Sequence, residues 1–114
     1  MEIIETSREL SAKDKWKLTR DAGILKMSDF EGQTIQPITY CVYTDVNSEG
    51  QEQTLLSIMD SEGKVYATNS ETFRREFLDM VKVFTESKEP LESILIMGGT
   101  TNAGRHYITC ALGD

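Results

Sequence analysis

Residues 71–86 read ETFRREFLDMVKVFTE and carry the clearest helical pattern of the chain. Their apolar side chains recur at helical spacing, at Phe73, Phe77, Met80, Val81 and Phe84. A stripe of this kind predicts an α-helix that buries one face. Asn69 and Ser70 precede it as N-cap residues, and Pro90 prevents its continuation. The sequence therefore predicts a helix from Glu71 to Glu86.

Strand-like runs lie on both sides of this helix. Within Gln33–Asp45, apolar and polar positions alternate with period two, which is typical of a strand. Turn residues separate it from the next two runs, and a Gly- and Thr-rich loop separates the two runs that follow the helix. The other predicted strands are Gln53–Met59, Lys64–Thr68, Ser93–Met97 and Arg105–Leu112.

Three strands, one helix and two strands follow one another in the order of the OB-fold, a five-stranded Greek-key barrel that binds oligonucleotides and oligosaccharides. The predicted class is therefore mainly β (α+β). An α+β sheet with the helix on one face and an SH3-like barrel are the alternatives. A short helix, Ala12–Arg20, is predicted from its N-cap Ser11 and from Asp14. We expect one domain over residues 1–114, with residues 1–30 as a helical extension packed on the barrel.

Composition limits the classes of function. The chain has 114 residues, a net charge of −7 and 39% hydrophobic residues, which is typical of a globular protein. The acidity argues against a uniformly basic nucleic-acid binder. Residues 31–72 hold only Lys64 against seven acids, so the excess acid lies in this part of the chain and leaves room for a local basic patch elsewhere. The sequence shows neither a signal peptide nor a membrane span, and the cytoplasm is the expected location.

Catalytic and metal-binding patterns are weak. His106 is the sole histidine, and Cys41 and Cys110 have no partner at metal-ligand spacing, so both are expected to be buried free thiols. The glycines of residues 98–104 lack the Lys-Ser/Thr ending of a phosphate loop and precede a strand. We therefore expect no enzyme activity, no metal and no cofactor.

Five residues are candidates for ligand binding, because single strands are bound by aromatic faces that stack on bases and by cations that contact phosphates. Strand parity puts Arg105 and Tyr107 on the face opposite Ile108, Cys110 and Leu112. The same argument pairs Lys64 with Tyr66 and places Val65 and Ala67 inward. Tyr43 is opposite in parity to Ile38, Tyr40 and Val42, and is therefore expected at the surface. For Arg105 and Tyr107, the alternative is a surface Arg–Tyr pair beside a flexible hairpin loop. For the strand tyrosines, the alternative is a half-buried position in the barrel wall.

The first helix carries a basic-aromatic cluster. Its members are Lys13, Lys15, Trp16, Lys17 and Arg20. Such a cluster is typical either of a nucleic-acid-binding arm or of a solvated helix face with one anchoring tryptophan.

Three stretches resemble a known family. They are MEIIETSREL (residues 1–10), VYATNSETF (residues 65–73) and AGRHYITC (residues 103–110). Together they resemble the small single-stranded-DNA-binding proteins of tailed phages and prophages of low-GC Gram-positive bacteria. The resemblance covers nearly the whole chain. It implies an OB-like fold, sequence-independent binding of single-stranded DNA in phage replication or recombination, and a homo-oligomer, with a dimer favoured.

One departure concerns the end of the sequence. Many cellular single-strand-binding proteins end in an acidic tail that recruits partners, whereas Cys110–Asp114 reads CALGD. Phage replication or recombination partners are therefore expected to bind another surface. The alternative function is an OB-like protein–protein adaptor without direct nucleic-acid binding, and a small enzyme ranks last.

Overall fold

The structure is a computed structural model that describes residues 1–113; the last residue of the C-terminal stretch discussed above, Asp114, lies outside the described residues. Within this range, a single 3-10 turn covers Met27–Phe30. The elements are, in order, β1 (Glu2–Thr6), α1 (Ala12–Thr19), β2 (Leu25–Lys26), β3 (Thr34–Ile35), β4 (Pro37–Val46), β5 (Glu52–Asp60), β6 (Val65–Thr68), α2 (Glu71–Glu86), β7 (Ile94–Thr100) and β8 (His106–Leu112).

Both predicted helices are confirmed, together with their N-caps. The hydroxyl of Ser70 accepts a hydrogen bond from the backbone N–H of Phe73 at 3.1 Å, which satisfies a free donor of the first turn of α2. Ser11 does the same for Asp14 in α1, also at 3.1 Å. These signals are local, and the sequence alone is enough to place them.

The strands form two sheets. The five-stranded sheet has the order β1-β4-β5-β6-β2, with β2 parallel to β6 and the other neighbours antiparallel. The three-stranded sheet has the order β3-β7-β8 and is antiparallel. The predicted first strand is thus divided between the sheets: β3 pairs with β7, and β4 pairs with β1 and β5. The strand divides at Gln36 and Pro37, because the proline has no N–H to donate in a hydrogen bond to a neighbouring strand.

The mainly β class is confirmed, but the strands of residues 1–113 do not close into a barrel. The second neighbour of β6 is β2 and not β8, so the two sheets remain separate. Of the helical extension predicted over residues 1–30, α1 is present, but β1 and β2 belong to the five-stranded sheet. Two-residue strands and an edge strand with a bulge carry too little periodicity to be predicted.

Two cores lie on opposite faces of the five-stranded sheet. The main core contains Phe73 and Phe77 of α2, packed with side chains from both sheets. The second core is formed where α1 covers the other face, with Leu18 fully buried. β4 is therefore buried on both sides, and burying each large apolar side chain contributes about 1.5–3 kcal/mol. Ile38 and Leu112, which parity assigned to the interior, are exposed near strand ends.

Candidate nucleic-acid interface

A cleft of about 890 Å³ lies beside the end of the five-stranded sheet and the start of β8. Its lining residues come from three places, and together they define the cleft. The sheet end supplies Gln53 and Leu55 of β5 with Ala67–Glu71, the β2 region supplies Ile24–Lys26 and Ser28, and the β8 region supplies Arg105–Ile108. Segments far apart in the sequence thus meet at one surface.

Lys26 and Arg105 supply the two cationic side chains of the cleft. Lys26 stays exposed because its neighbour Met27 is fully buried in the main core and fixes the chain there. Of the described residues that line the cleft, Glu71 is the one acid, and its carboxylate lies 3.9 Å from a guanidinium nitrogen of Arg75. Although the chain has a net charge of −7, the surface of the cleft is therefore locally positive.

A hydrogen-bonded turn positions Arg105. Thr101 donates its backbone N–H to the carbonyl of Arg105 at 2.9 Å, and its hydroxyl accepts from the N–H of Arg105 at 3.1 Å. Gly104 supports the turn with φ of 82°, a conformation that glycine adopts without steric cost. The loop between β7 and β8 thus holds the backbone of Arg105 while its side chain remains exposed.

Tyr107 is the aromatic residue of the cleft, with 41% of its surface exposed. It is the cross-strand partner of Gly99, and its ring lies over that glycine. A ring supported from below in this way can offer its other surface to a flat ligand.

Two amides lie at the sheet end of the cleft. The side-chain amide of Asn69 donates to the side-chain carbonyl oxygen of Gln53 at 3.2 Å. Each amide has both donors and an acceptor, so this bond leaves the carbonyl oxygen of Asn69 and the NH₂ of Gln53 with further hydrogen-bonding capacity. The pair can therefore present an acceptor next to a donor.

His106 is held by a residue from a distant part of the chain. Its Nε2 lies 2.7 Å from a carboxylate oxygen of Glu31, whose side chain also lies over Gly98. Because residue 98 is a glycine and has no Cβ, the carboxylate of Glu31 can occupy this space. The contact ties the end of the 3-10 turn to β8.

The five predicted site residues have different outcomes. Arg105 and Tyr107 lie together in the cleft, as the parity argument expects. Lys64 is exposed, but it lines a neighbouring pocket of about 240 Å³ and not the cleft itself. The cleft thus brings two of the five together, while Lys64 and Tyr66 line a separate pocket of about 400 Å³ that also contains Asp60, Glu62 and Glu92.

The predicted exposure of Tyr43 and Tyr66 is wrong. Tyr43 is 3% exposed because α1 covers its face of the sheet, and burial raises its pKa to about 12. Tyr66 is 4% exposed; its ring packs edge-on against Phe30 at 5.1 Å, and its hydroxyl donates to Asp60 at 3.2 Å. Burial and the Asp60 carboxylate raise the pKa of Tyr66. Neither ring is available for stacking.

The basic-aromatic cluster of α1 is anchored differently from the expectation. Trp16 is 60% exposed, while Leu18 fixes the helix to the sheet. Arg20 forms an ion pair with Asp45 at 3.6 Å. Trp16 does not line the cleft and is an exposed apolar side chain of α1.

Sequence reasoning missed Lys26, Gln53 and Asn69 as cleft residues. Lys26 reaches the cleft on β2, a two-residue strand that pairs with β6. Gln53 and Asn69 are 16 positions apart and meet through the antiparallel β5–β6 pair. The one available signal was the turn between these strands, which predicts that their far ends lie side by side.

Metal-binding clusters and membrane-spanning helices are absent from the described part of the chain. Residues 1–113 contain no group of three or more His, Cys, Asp or Glu side chains that could hold a metal ion. Over the same residues, neither helix has the length and apolar character needed to cross a membrane. Cys41 and Cys110 are free and buried, as predicted.

Comparisons of the chain with protein-family models, with curated proteins and with solved structures gave no match. The geometry and charge of the cleft therefore carry the functional argument.

Proposed function

We propose that the protein binds single-stranded DNA without sequence preference, as a non-enzymatic module, and that the cleft holds the strand. The observation that carries this proposal is the meeting of Lys26, Arg105 and Tyr107 in one cleft of an acidic chain. The cations contact phosphates, and the tyrosine stacks on a base, which contributes about 1–3 kcal/mol.

The strand order supports an open variant of the OB-fold. In a Greek key, a fourth strand returns to lie beside the first of three hairpin-connected strands. Here β4, β5 and β6 are the hairpin-connected strands, and β7 returns to pair with β3, the short strand that precedes β4. In this proposal β3 and β4 together are the first strand of the OB-fold, and β8 is the fifth.

The position of the cleft agrees with this assignment. OB-folds bind oligonucleotides on the face of strands two and three and with the adjoining loops, including the loop between strands four and five. The corresponding residues here are Leu55 of β5, Ala67 of β6 and Arg105 at the end of the β7–β8 loop. α1 covers the neighbouring part of the same face, around Leu18, and leaves this part open.

The amide pair supports a preference for single strands over duplex. The donor and acceptor that Gln53 and Asn69 retain match the mixed donor–acceptor edge by which bases pair. In a duplex those edges are occupied by the complementary base. Every base has such an edge, so the pair can contribute affinity without selecting a sequence.

The biological setting follows from the family resemblance of the sequence. We propose a role in phage DNA replication or recombination, in the cytoplasm of the bacterial host, with phage replication or recombination proteins as further partners. A single cleft covers few nucleotides, so we also propose that the protein acts as a homo-oligomer, most simply a dimer. The preference for DNA over RNA rests on the same resemblance.

A titration of fluorescein-labelled oligo-dT, followed by anisotropy, tests the proposal. Two phosphate contacts predict a slope of about −1.4 for log affinity against log salt, which is about a sevenfold loss between about 50 and 200 mM salt. Duplex DNA of the same length should bind more weakly, and oligo-U in parallel measures the DNA preference. An unchanged anisotropy with oligo-dT at the lower salt concentration would overturn the proposal.

A protein–protein adaptor is the second candidate. The observation that favours it is the outer face of β7 and β8, where Met97 is exposed and Leu95 is half-buried. Recovery of one defined protein by the immobilised chain after nuclease treatment, together with a flat oligo-dT titration, would select this function.

A further inference from the structure

A second cationic pocket adjoins the cleft. It has a volume of about 240 Å³, and Lys17 of α1 and Lys64 of the β5–β6 turn both line it. Leu25 lines this pocket and also the cleft, so the two adjoin at β2. Cations from α1 and from the turn thus extend the cationic surface of Lys26 and Arg105.

The backbone at Lys64 is fixed by the turn that carries it. Its N–H donates to the side chain of Asp60 at 2.8 Å, and its carbonyl accepts from the N–H of Asp60, also at 2.8 Å. Gly63 makes the turn possible with φ of 85°. Only the side chain of Lys64 must be ordered when it binds a ligand, which lowers the entropic cost.

The charge balance of this pocket resembles that of the cleft. Asp21 is its one acid among the described residues, and one of its carboxylate oxygens already accepts from the N–H of Gly23 at 2.9 Å. Neither Lys17 nor Lys64 forms a salt bridge within residues 1–113. The two ammonium groups are therefore available to an anion.

We propose that the pocket of Lys17 and Lys64 binds backbone phosphates of the same DNA strand after it leaves the cleft past Leu25. This inference rests on the proposed function and adds to it a direction and a length for the bound strand. The strand runs from Arg105 and Tyr107, past Lys26, to Lys17 and Lys64. A short oligonucleotide fills the cleft alone, and a longer one contacts both places.

Oligo-dT of two lengths, about 4 and about 12 nucleotides, tests the proposal within the range of OB-fold site sizes. For the unaltered chain we expect a salt slope of about −1.4 with the short oligonucleotide and about −2.8 with the long one, since four phosphates are then contacted. Between about 50 and 200 mM salt, these slopes correspond to losses of about sevenfold and about fiftyfold.

The decisive variant combines Lys17→Gln with Lys64→Gln. It should bind the short oligonucleotide like the unaltered chain, and its slope with the long one should fall to about −1.4. The matched control combines Lys13→Gln with Lys82→Gln, two exposed lysines outside both pockets, and should retain the steeper slope. Circular dichroism melts confirm that both variants are folded.

The outcomes separate the two proposals. If the short oligonucleotide binds but the Lys17/Lys64 variant keeps the steeper slope with the long one, the second pocket is not a phosphate site and the proposed function stands. If neither oligonucleotide binds the unaltered chain, the proposed function is overturned and this inference with it.

Discussion

The ring of Tyr107 lies over Gly99, with its Cζ and hydroxyl oxygen each 2.6 Å from the point that a Cβ of residue 99 would occupy. The two residues are cross-strand partners in β7 and β8. Aromatic rings are known to cover cross-strand glycines in this way. Gly99 therefore sets the position of the ring that we propose as the stacking surface.

Gly99→Ala should separate binding from stability. The three atoms nearest to the added methyl group all belong to the far end of the half-exposed Tyr107 side chain, which can move aside, so we expect the free energy of unfolding to change by less than about 1 kcal/mol. The displaced ring should lose much of its stacking, and affinity for oligo-dT should fall toward that of Tyr107→Ala. Urea denaturation and anisotropy measure the two quantities; an unchanged affinity would show that ring position is irrelevant.

Replacement of Tyr107 itself tests stacking directly. Tyr107→Ala should weaken oligo-dT binding by about 5- to 150-fold, the equivalent of about 1–3 kcal/mol. Tyr107→Phe keeps the ring and should bind like the unaltered chain. A Phe variant as weak as the Ala variant would assign the contribution to the hydroxyl and not to stacking.

The cations of the cleft should act through phosphate contacts. Lys26→Gln and Arg105→Gln should each reduce the magnitude of the salt slope by about 0.7 with a short oligonucleotide. Lys82→Gln removes the same charge from α2 outside the cleft and serves as the control. Equal slopes in all three variants would mean that net charge, and not these two contacts, attracts the strand.

The sequence predicts some of these features for identifiable reasons. The bounds of α2 and the caps Ser11 and Ser70 are local signals, and the structure confirms them. Parity correctly predicts the exposure of Arg105 and Tyr107, because β8 alternates clearly and Arg105 directly precedes it. Local patterns of this kind survive folding because they do not depend on which distant segment packs beside them.

Other features depend on distant segments and were missed. Parity assumes one buried face for each strand, but α1 gives β4 a second buried face, so Tyr43 is interior. Val65 is buried in the second core, as predicted, but Tyr66 is buried as well, in the main core, because both faces of β6 are covered at this point. The contact of Glu31 with His106 joins residues 75 positions apart, and periodicity carries no information about such a pair.

Buried titratable groups predict a loss of stability in alkali. Burial raises the pKa of Cys41 from 9.0 to about 11 and that of Cys110 from 9.0 to about 12, and the pKa of Tyr40 is raised by burial and by Glu5. Above the ordinary thiol pKa, the unfolded chain releases protons that the folded chain retains. Stability is therefore complete below about pH 9 and falls as the pH rises toward about 11–12.

Urea denaturation at a series of pH values from about 8 to 11 measures this loss. Cys41→Ala removes one of the thiols and should reduce the slope of unfolding free energy against pH in this window. The cysteines of the folded chain should also react slowly with a thiol reagent near pH 8, because little thiolate is present. Stability that is independent of pH up to about 11 would contradict the burial of these groups.

Phe77 should be among the residues on which folding depends most. It is almost fully buried between α2 and the sheets, and its ring packs edge-on against Tyr40 with centroids 5.4 Å apart. Phe77→Ala removes the ring and leaves a cavity, so we expect a loss of about 3–5 kcal/mol in the free energy of unfolding.

Val83→Ala alters a side chain that is 58% exposed on the same helix, and should change stability by less than about 0.5 kcal/mol. Urea denaturation of both variants makes the comparison, and equal losses would contradict the orientation of α2. Phe77 lies outside the cleft, so oligo-dT affinity measured where the Phe77 variant is still folded should remain unchanged.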